Sequence, residues 1–434
     1  MLNARARYLA AGLLAAALAA WGAVAAAVPA SADAVRDAQL WVLNAVSAPS
    51  AWTVTEGQGV TVAVIDSGVN PHASDLAGSV ITGPDLTGVH TPPSNPNWGV
   101  HGTWMASFIV GHGHDGGGSG IMGIAPRSKV LSIRVVTDRR DPGYAAYQRE
   151  SDSRVQDALA QAIGYAVAHR ASVISMSLGY GEPSAVVRSA LQNALDHGVV
   201  VVASSGNSGD SVGARTTGQA PYSFPADYPG VLGVAAVSRS GAPAGFSSDN
   251  LSVQVAAPGV DVPAQGRDGQ YWLVSGTSPA CALTAGVAAL IKARYPGLAP
   301  AIVVRAITST TQRRPPGGYD DKVGFGTVDA AAALTAAGRL ATRLHAAAGL
   351  PVATHFGGSA AVPADPVPPR GAAGLIIACL AALGCLALAV LAGTRLTALR
   401  RMSRGQHAAV SRPAPPAWPG PRVQATWPDA EEPG

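Results

Sequence analysis

Residues 60–68 read Val-Thr-Val-Ala-Val-Ile-Asp-Ser-Gly. The first six have no polar face, so they form a strand only where both faces are covered, the condition of a parallel sheet buried between helices. Asp66 stands at the carboxyl end of that strand. Residues 129–136, 172–177 and 199–203 have the same character. Amphipathic helices alternate with them. Ser151 or Asp152 caps one on which Val155, Leu159, Ala162, Ile163 and Val167 share a face, and Glu182-Pro183 opens another that ends at Gly198. Strand, helix, strand, helix predicts an α/β fold: a mainly parallel open sheet with helices on both faces, three layers in all. The working crevice of such a sheet lies beyond the carboxyl ends of its strands.

Composition agrees with one sizeable globular domain plus appendages. The 434 residues are 48% hydrophobic and 13% charged, which excludes a disordered chain and a disulfide-stapled mini-fold. Gly (51) and Pro (33) are abundant but follow no triplet period, which excludes collagen. The formal charge of +4 resides at the ends, for residues 33–394 carry 22 basic against 23 acidic side chains. Binding to nucleic acid therefore has no electrostatic support.

Both ends read as membrane-related. Arg5 and Arg7, an apolar run over residues 8–28, and Ala30-Ser31-Ala32 compose a signal peptide over 1–32 with cleavage before Asp33. Residues 371–393 carry no charge and suffice for one transmembrane helix. Arg395, Arg400, Arg401 and Arg404 place the tail, 394–434, in the cytoplasm and the large domain outside. The expected order is an N-terminal extension (33–58) packed along the domain, the large α/β domain (59–344), a Pro/Ala/Gly-rich tether (345–370), the span, and a disordered tail. Cys379 and Cys385 fall in the span, so Cys281, inside an apolar helical pattern, has no disulfide partner in the domain and reads as a buried core residue.

Three segments display reactive side chains where this fold would present them. Asp66 ends the first strand, His101 opens an apolar helix in His-Gly-Thr-Trp-Met-Ala-Ser-Phe, and Ser278 begins another in Ser-Gly-Thr-Ser-Pro-Ala. A serine hydroxyl needs an imidazole to take its proton, and the imidazole needs a carboxylate to fix its tautomer. A fourth segment, Ala203-Ser204-Ser205-Gly206-Asn207, leaves a buried strand by a turn. The Asn207 amide and the Ser278 backbone N–H could together stabilise an oxyanion.

In these motifs the chain resembles the subtilisin-like serine proteases, the subtilases, whose order of Asp, His and Ser is the one already described for subtilisin. The resemblance covers about residues 40–340 and includes Gly123-Ile124-Ala125-Pro126, Ser177-Leu178-Gly179, Ala256 with Pro258, and Gly324-Phe325-Gly326-Thr327-Val328-Asp329. It implies that Asp66 orients, His101 acts as base and then acid, Ser278 is the acyl-enzyme nucleophile, and Asn207 is the oxyanion donor. It also implies that Ser177, Leu178 and Gly179 pair with a polypeptide substrate and, with Ala203, Ser204, Ser205 and Gly206, wall the pocket for the residue before the scissile bond. With the signal peptide, tether, span and Arg-flanked tail, the chain is further similar to the mycosins, membrane-anchored subtilases associated with type VII secretion. It departs from them in its single domain cysteine and from most subtilases in Pro279.

The resemblance implies a cell-membrane, single-pass endopeptidase, extracytoplasmic and partnered with a type VII secretion complex. The alternative is a mainly structural component of that complex with proteolysis dispensable. No metal or cofactor is expected. His112-Gly113-His114-Asp115 reads as a flexible glycine-rich loop without a fourth ligand at a defined spacing. Residues 138–153 read as a charged, solvated insertion. The 27 residues from Asp33 to Gly59 are too few for an independently folded inhibitory pro-domain.

Overall fold

The computed structural model describes residues 32–150 and 152–348. Helices α1 (Ala32–Ala45) and α2 (Ala48–Trp52) precede the first buried strand, β1 (Thr61–Asp66). Then follow β2 (Val80–Asp85), α3 (Val100–Val110), a hairpin of β3 (His112–His114) and β4 (Ser119–Met122), and β5 (Lys129–Arg134). The middle of the chain forms α4 (Tyr144–Tyr147), α5 (Asp152–Ala168), β6 (Val173–Met176), α6 (Ala185–Asp196), β7 (Val200–Ser204), α7 (Val212–Thr217), β8 (Leu232–Val237) and β9 (Val253–Pro258). A second hairpin, β10 (Val262–Gln265) and β11 (Tyr271–Val274), leads into α8 (Thr277–Arg294), α9 (Pro300–Thr308) and α10 (Ala330–Ala348).

Seven strands form one sheet in the order β2-β5-β1-β6-β7-β8-β9, with every neighbouring pair parallel. Alternation along each strand divides the interior into two cores. Val62 and Val64 of β1 pack with Phe108 and Ile109 of α3 and with Leu283 and Val287 of α8. Ala63 and Ile65 point the other way, towards Leu159 and Ile163 of α5 and Leu191 of α6. The three-layer reading holds, and the reason is the uninterrupted apolar run that gave it. Because α8 is buried without a break from Pro279 to Lys292, its sequence shows no polar face. Cys281, in that helix, is a free thiol that burial pushes up to about 11, the state of an inert core residue.

After β1 the chain adds β2 and β5 on one side, and β6 then returns to the other side of β1. The order therefore reverses at β1, and the carboxyl ends of β1 and β6 are where an open α/β sheet of this order places its site. Helix α1 packs along the domain as its sequence position suggested. Arg36 donates to the carbonyls of Gly117, Ser119 and Gly120, Gln39 exchanges two hydrogen bonds with the Met122 backbone, and Val42 and Val46 enter the core.

Three local expectations need correction. Residues 112–114 are not a loop but strand β3, paired with β4, and His114 Nδ1 lies 2.6 Å from Oδ1 of the buried Asp75. Helix α6 begins at Ala185, because the Ser184 hydroxyl accepts from the Val187 N–H and supplies the cap ascribed to Glu182-Pro183. The segment from residue 138 is not simply solvated: Asp138 and Asp141 are both buried. Among the described residues no helix is long and apolar enough to cross a membrane. The expected span (371–393), the tail, nearly all of the signal peptide and residues 349–370 of the tether lie outside them.

Candidate active site

Asp66 is the last residue of β1, and its side chain is 1% exposed. A carboxylate there must be fully engaged. Its Oδ1 accepts the Ser67 N–H at 2.6 Å and faces His101 Nδ1 at 2.8 Å, while Oδ2 lies 3.0 Å from the same nitrogen. A carboxylate can only accept, so Nδ1 carries the proton and Nε2 of a neutral ring keeps its lone pair.

His101 is the second residue of α3, which begins immediately beside the turn that follows β1. The close approach depends on Gly102, where a Cβ would stand 2.2 Å from the Gly68 carbonyl oxygen and 3.3 Å from Asp66 Oδ1. The imidazole is 23% exposed on its outer side and meets the Trp104 indole edge-on, with 6.2 Å between ring centroids. Trp272, 46% exposed, tilts against Trp104 and extends this aromatic rim. Burial pulls the imidazole's proton affinity down, but the charge of Asp66, its hydrogen bond and the charge of Asp138 outweigh it, leaving the pKa above its ordinary 6.5.

Ser278 lies in the first turn of α8 and is half-buried. Two bonds fix that turn. Ser177 Oγ, one residue past β6, donates to the Ser278 carbonyl at 3.2 Å. Asn207 Oδ1 accepts the Thr277 N–H at 2.9 Å and faces Thr277 Oγ1 at 3.0 Å. Met176, which precedes Ser177, is the register partner of Ile65, which precedes Asp66. Sheet register therefore carries the serine turn to the end of β1. Since the Thr277 N–H requires an oxygen, the orientation of the Asn207 amide is assigned and Nδ2 is directed elsewhere. A Cβ on Gly276 would stand 3.7 Å from both Asn207 Nδ2 and the Ser278 backbone nitrogen, so the two nitrogens border one small space.

The other residues read from the sequence are placed around this centre. Ser177, Leu178 and Gly179 leave β6, and a Cβ on Gly179 would stand 2.2 Å from Ser223 Oγ. Ala203, Ser204 and Ser205 are buried, so what they offer a pocket is backbone, and Gly206 and Asn207 complete the turn. Sequence reading missed Asp138. Its Oδ2 accepts the Val100 N–H at 2.8 Å and its Oδ1 the His101 N–H at 3.2 Å. It lies 37 residues away from His101 in the chain, and its only local signal was its place directly after an apolar strand.

An aspartate-bound histidine, a serine at a helix start and an asparagine fixed to that helix are the residue types that nucleophilic acyl transfer requires. Comparison with known proteins gives the family. The chain matches the Subtilase family, peptidase S8, over residues 57–326 and belongs to it. It is 32% identical to thermitase of Thermoactinomyces vulgaris over 268 residues, 62% of this chain and 86% of thermitase. It is also 32% identical to mycosin-1 of Mycobacterium tuberculosis over 321 residues, 64% of this chain and 69% of that protein. The crystal structure of MycP1 from the ESX-1 type VII secretion system is similar at a TM-score of 0.58 with 29% identity, covering 68% of this chain and 85% of that one.

Proposed function

We propose that this subtilase is a membrane-anchored, extracytoplasmic serine endopeptidase that acts beside a type VII secretion complex. The observation that carries the chemistry is the Asp66–His101 pair at 2.8 Å, with the serine turn anchored next to it through Ser177 and Asn207. Ser278 Oγ attacks the scissile carbonyl carbon while His101 Nε2 takes its proton, and Asp66 stabilises the imidazolium that results. Asn207 Nδ2 and the Ser278 N–H donate to the oxyanion of the tetrahedral intermediate. His101 then returns the proton to the leaving amine as the C–N bond breaks, leaving an acyl-enzyme. Water, activated by the same base, releases the acid. The backbone of residues 177–179 and 203–206 walls the substrate groove.

Anchoring is supported by the apolar segment at 371–393 and its arginine flank, and the secretion partner by the mycosin relatives. The test is hydrolysis of a denatured polypeptide by fractionated cells producing the full-length chain. Activity that sediments with membranes and vanishes in Ser278→Ala supports the proposal. Activity that is soluble, or that survives the substitution, refutes it.

A further inference from the structure

Helix α3 starts without a side-chain cap of its own. Its N-cap is Gly99, in the left-handed region at φ 69°, and the first bond closed within the helix is the Thr103 N–H to the Gly99 carbonyl at 3.1 Å. The three preceding N–H groups need acceptors from elsewhere. Asp138 takes two of them, Val100 and His101, and the Ser67 hydroxyl takes the third, Gly102, at 3.1 Å. A residue from beyond β5 thus caps the helix that carries the candidate base. Asparagine or serine would cap without placing a charge there, with one acceptor oxygen in place of the carboxylate's two. Yet the residue is an aspartate, 7% exposed, beside a second carboxylate. An acid buried in such a place is retained at a cost unless its charge has a use.

We infer that Asp138 is a positioning residue for hydrolysis: its carboxylate fixes the backbone of His101 and adds a second negative charge that makes the imidazole a stronger base than Asp66 alone would. The inference rests on the catalytic reading of His101. The charged groups acting on Asp138 are His101, on the helix it caps, and Asp66, at the end of β1. Arg134, four residues earlier on β5, is engaged by Asp85 and Asp141, and Arg139 and Arg140 are exposed. Burial raises the Asp138 carboxyl to about 6, and the charge of His101 opposes the rise, so the two groups titrate as a coupled pair.

The experiment is the pH dependence of inactivation of the full-length chain by a fluorophosphonate, for the wild type, Asp138→Asn and Asp138→Glu. The wild-type rate rises with pH through a midpoint above the ordinary imidazole value. In Asp138→Asn the midpoint falls by on the order of half a unit or more. In Asp138→Glu, which keeps the charge, it stays near the wild-type value even if the rate drops. Should the asparagine variant fail to fold, Asp138→Ser, an uncharged cap, takes its place with the same expectation. An unshifted midpoint in the uncharged variant, with rates lowered equally at every pH, would reduce Asp138 to a structural cap and overturn the inference. An equal shift in the glutamate variant would overturn it too. A folded wild type that the probe does not label would instead refute the catalytic reading itself.

Discussion

His101 is held between two carboxylates that act on different parts of it, Asp66 on the ring and Asp138 on the backbone N–H. Its raised pKa means that the neutral, proton-accepting form dominates only above the ordinary imidazole range, so kcat/KM should climb through a midpoint higher than 6.5. A pH profile of peptide hydrolysis checks this, and a midpoint below that value would contradict it. The same shifts bear on stability. A group whose folded pKa is raised stabilises the fold below its unfolded value and loses that contribution as pH rises through the folded one. For Asp138 the window runs from about 3.8 to about 6. Thermal unfolding of Asp138→Asn should therefore gain on the wild type as pH increases across that window; a constant difference would show that burial does not perturb the carboxyl. Asn207 offers a cleaner separation. Asn207→Asp keeps the oxygen that caps Thr277 but loses the Nδ2 donor, and kcat should fall about 100- to 1,000-fold, about 3–4 kcal/mol, with KM little changed. A mainly raised KM would place Asn207 in substrate binding instead.

At the scale of elements, the site depends on how closely α3 approaches the end of β1. In Gly102→Ala the new methyl would lie 2.2 Å from the Gly68 carbonyl oxygen, so the helix must retreat and take His101 away from Asp66. A displacement of about 1 Å is enough for a loss of about 100-fold in kcat. Circular dichroism of the folded variant, set beside its kcat, checks this, and full activity would mean that the turn yields instead. Behind β1, the buried Arg134 donates to the Ser67 carbonyl and binds Asp141, itself 0% exposed. Arg134→Met leaves that carboxylate uncompensated, and denaturant unfolding should show a loss of about 3–5 kcal/mol. The elements were legible where pattern alone decides them: β1, β5, β6 and β7 are apolar runs, Asp66 ends β1, and His101 opens the apolar helix α3. Strand β3 was not, because His-Gly-His carries no alternation and owes its pairing to Asp75 and the hairpin. Asp138 was hidden by its neighbours. A charge beside Arg139 and Arg140 reads as solvated, and only the folded chain brings it to the N–H groups of Val100 and His101.

Across the whole molecule, the N-terminal segment behaves as part of the domain. Val42, Leu43 and Val46 are buried, and each such side chain contributes about 1.5–3 kcal/mol. Deleting residues 32–46 should thus lower Tm by at least about 5 °C without raising activity; activation with Tm unchanged would identify the segment as an inhibitory leader. Fold class was readable at this scale because the buried parallel sheet imposes one pattern on strands and another on helices. The substrate was not, since residues 177–179 and 203–206, the proposed groove walls, would meet it with backbone, and backbone leaves no mark in sequence. The central claim is that Asp66, His101 and Ser278 form a working nucleophilic centre. Reaction of the purified full-length chain with a fluorophosphonate probe, beside Ser278→Ala and His101→Ala, tests it directly. Labelling of the wild type that is lost in both variants is the predicted result. A folded wild type that is not labelled, or labelling that persists without Ser278, would contradict it.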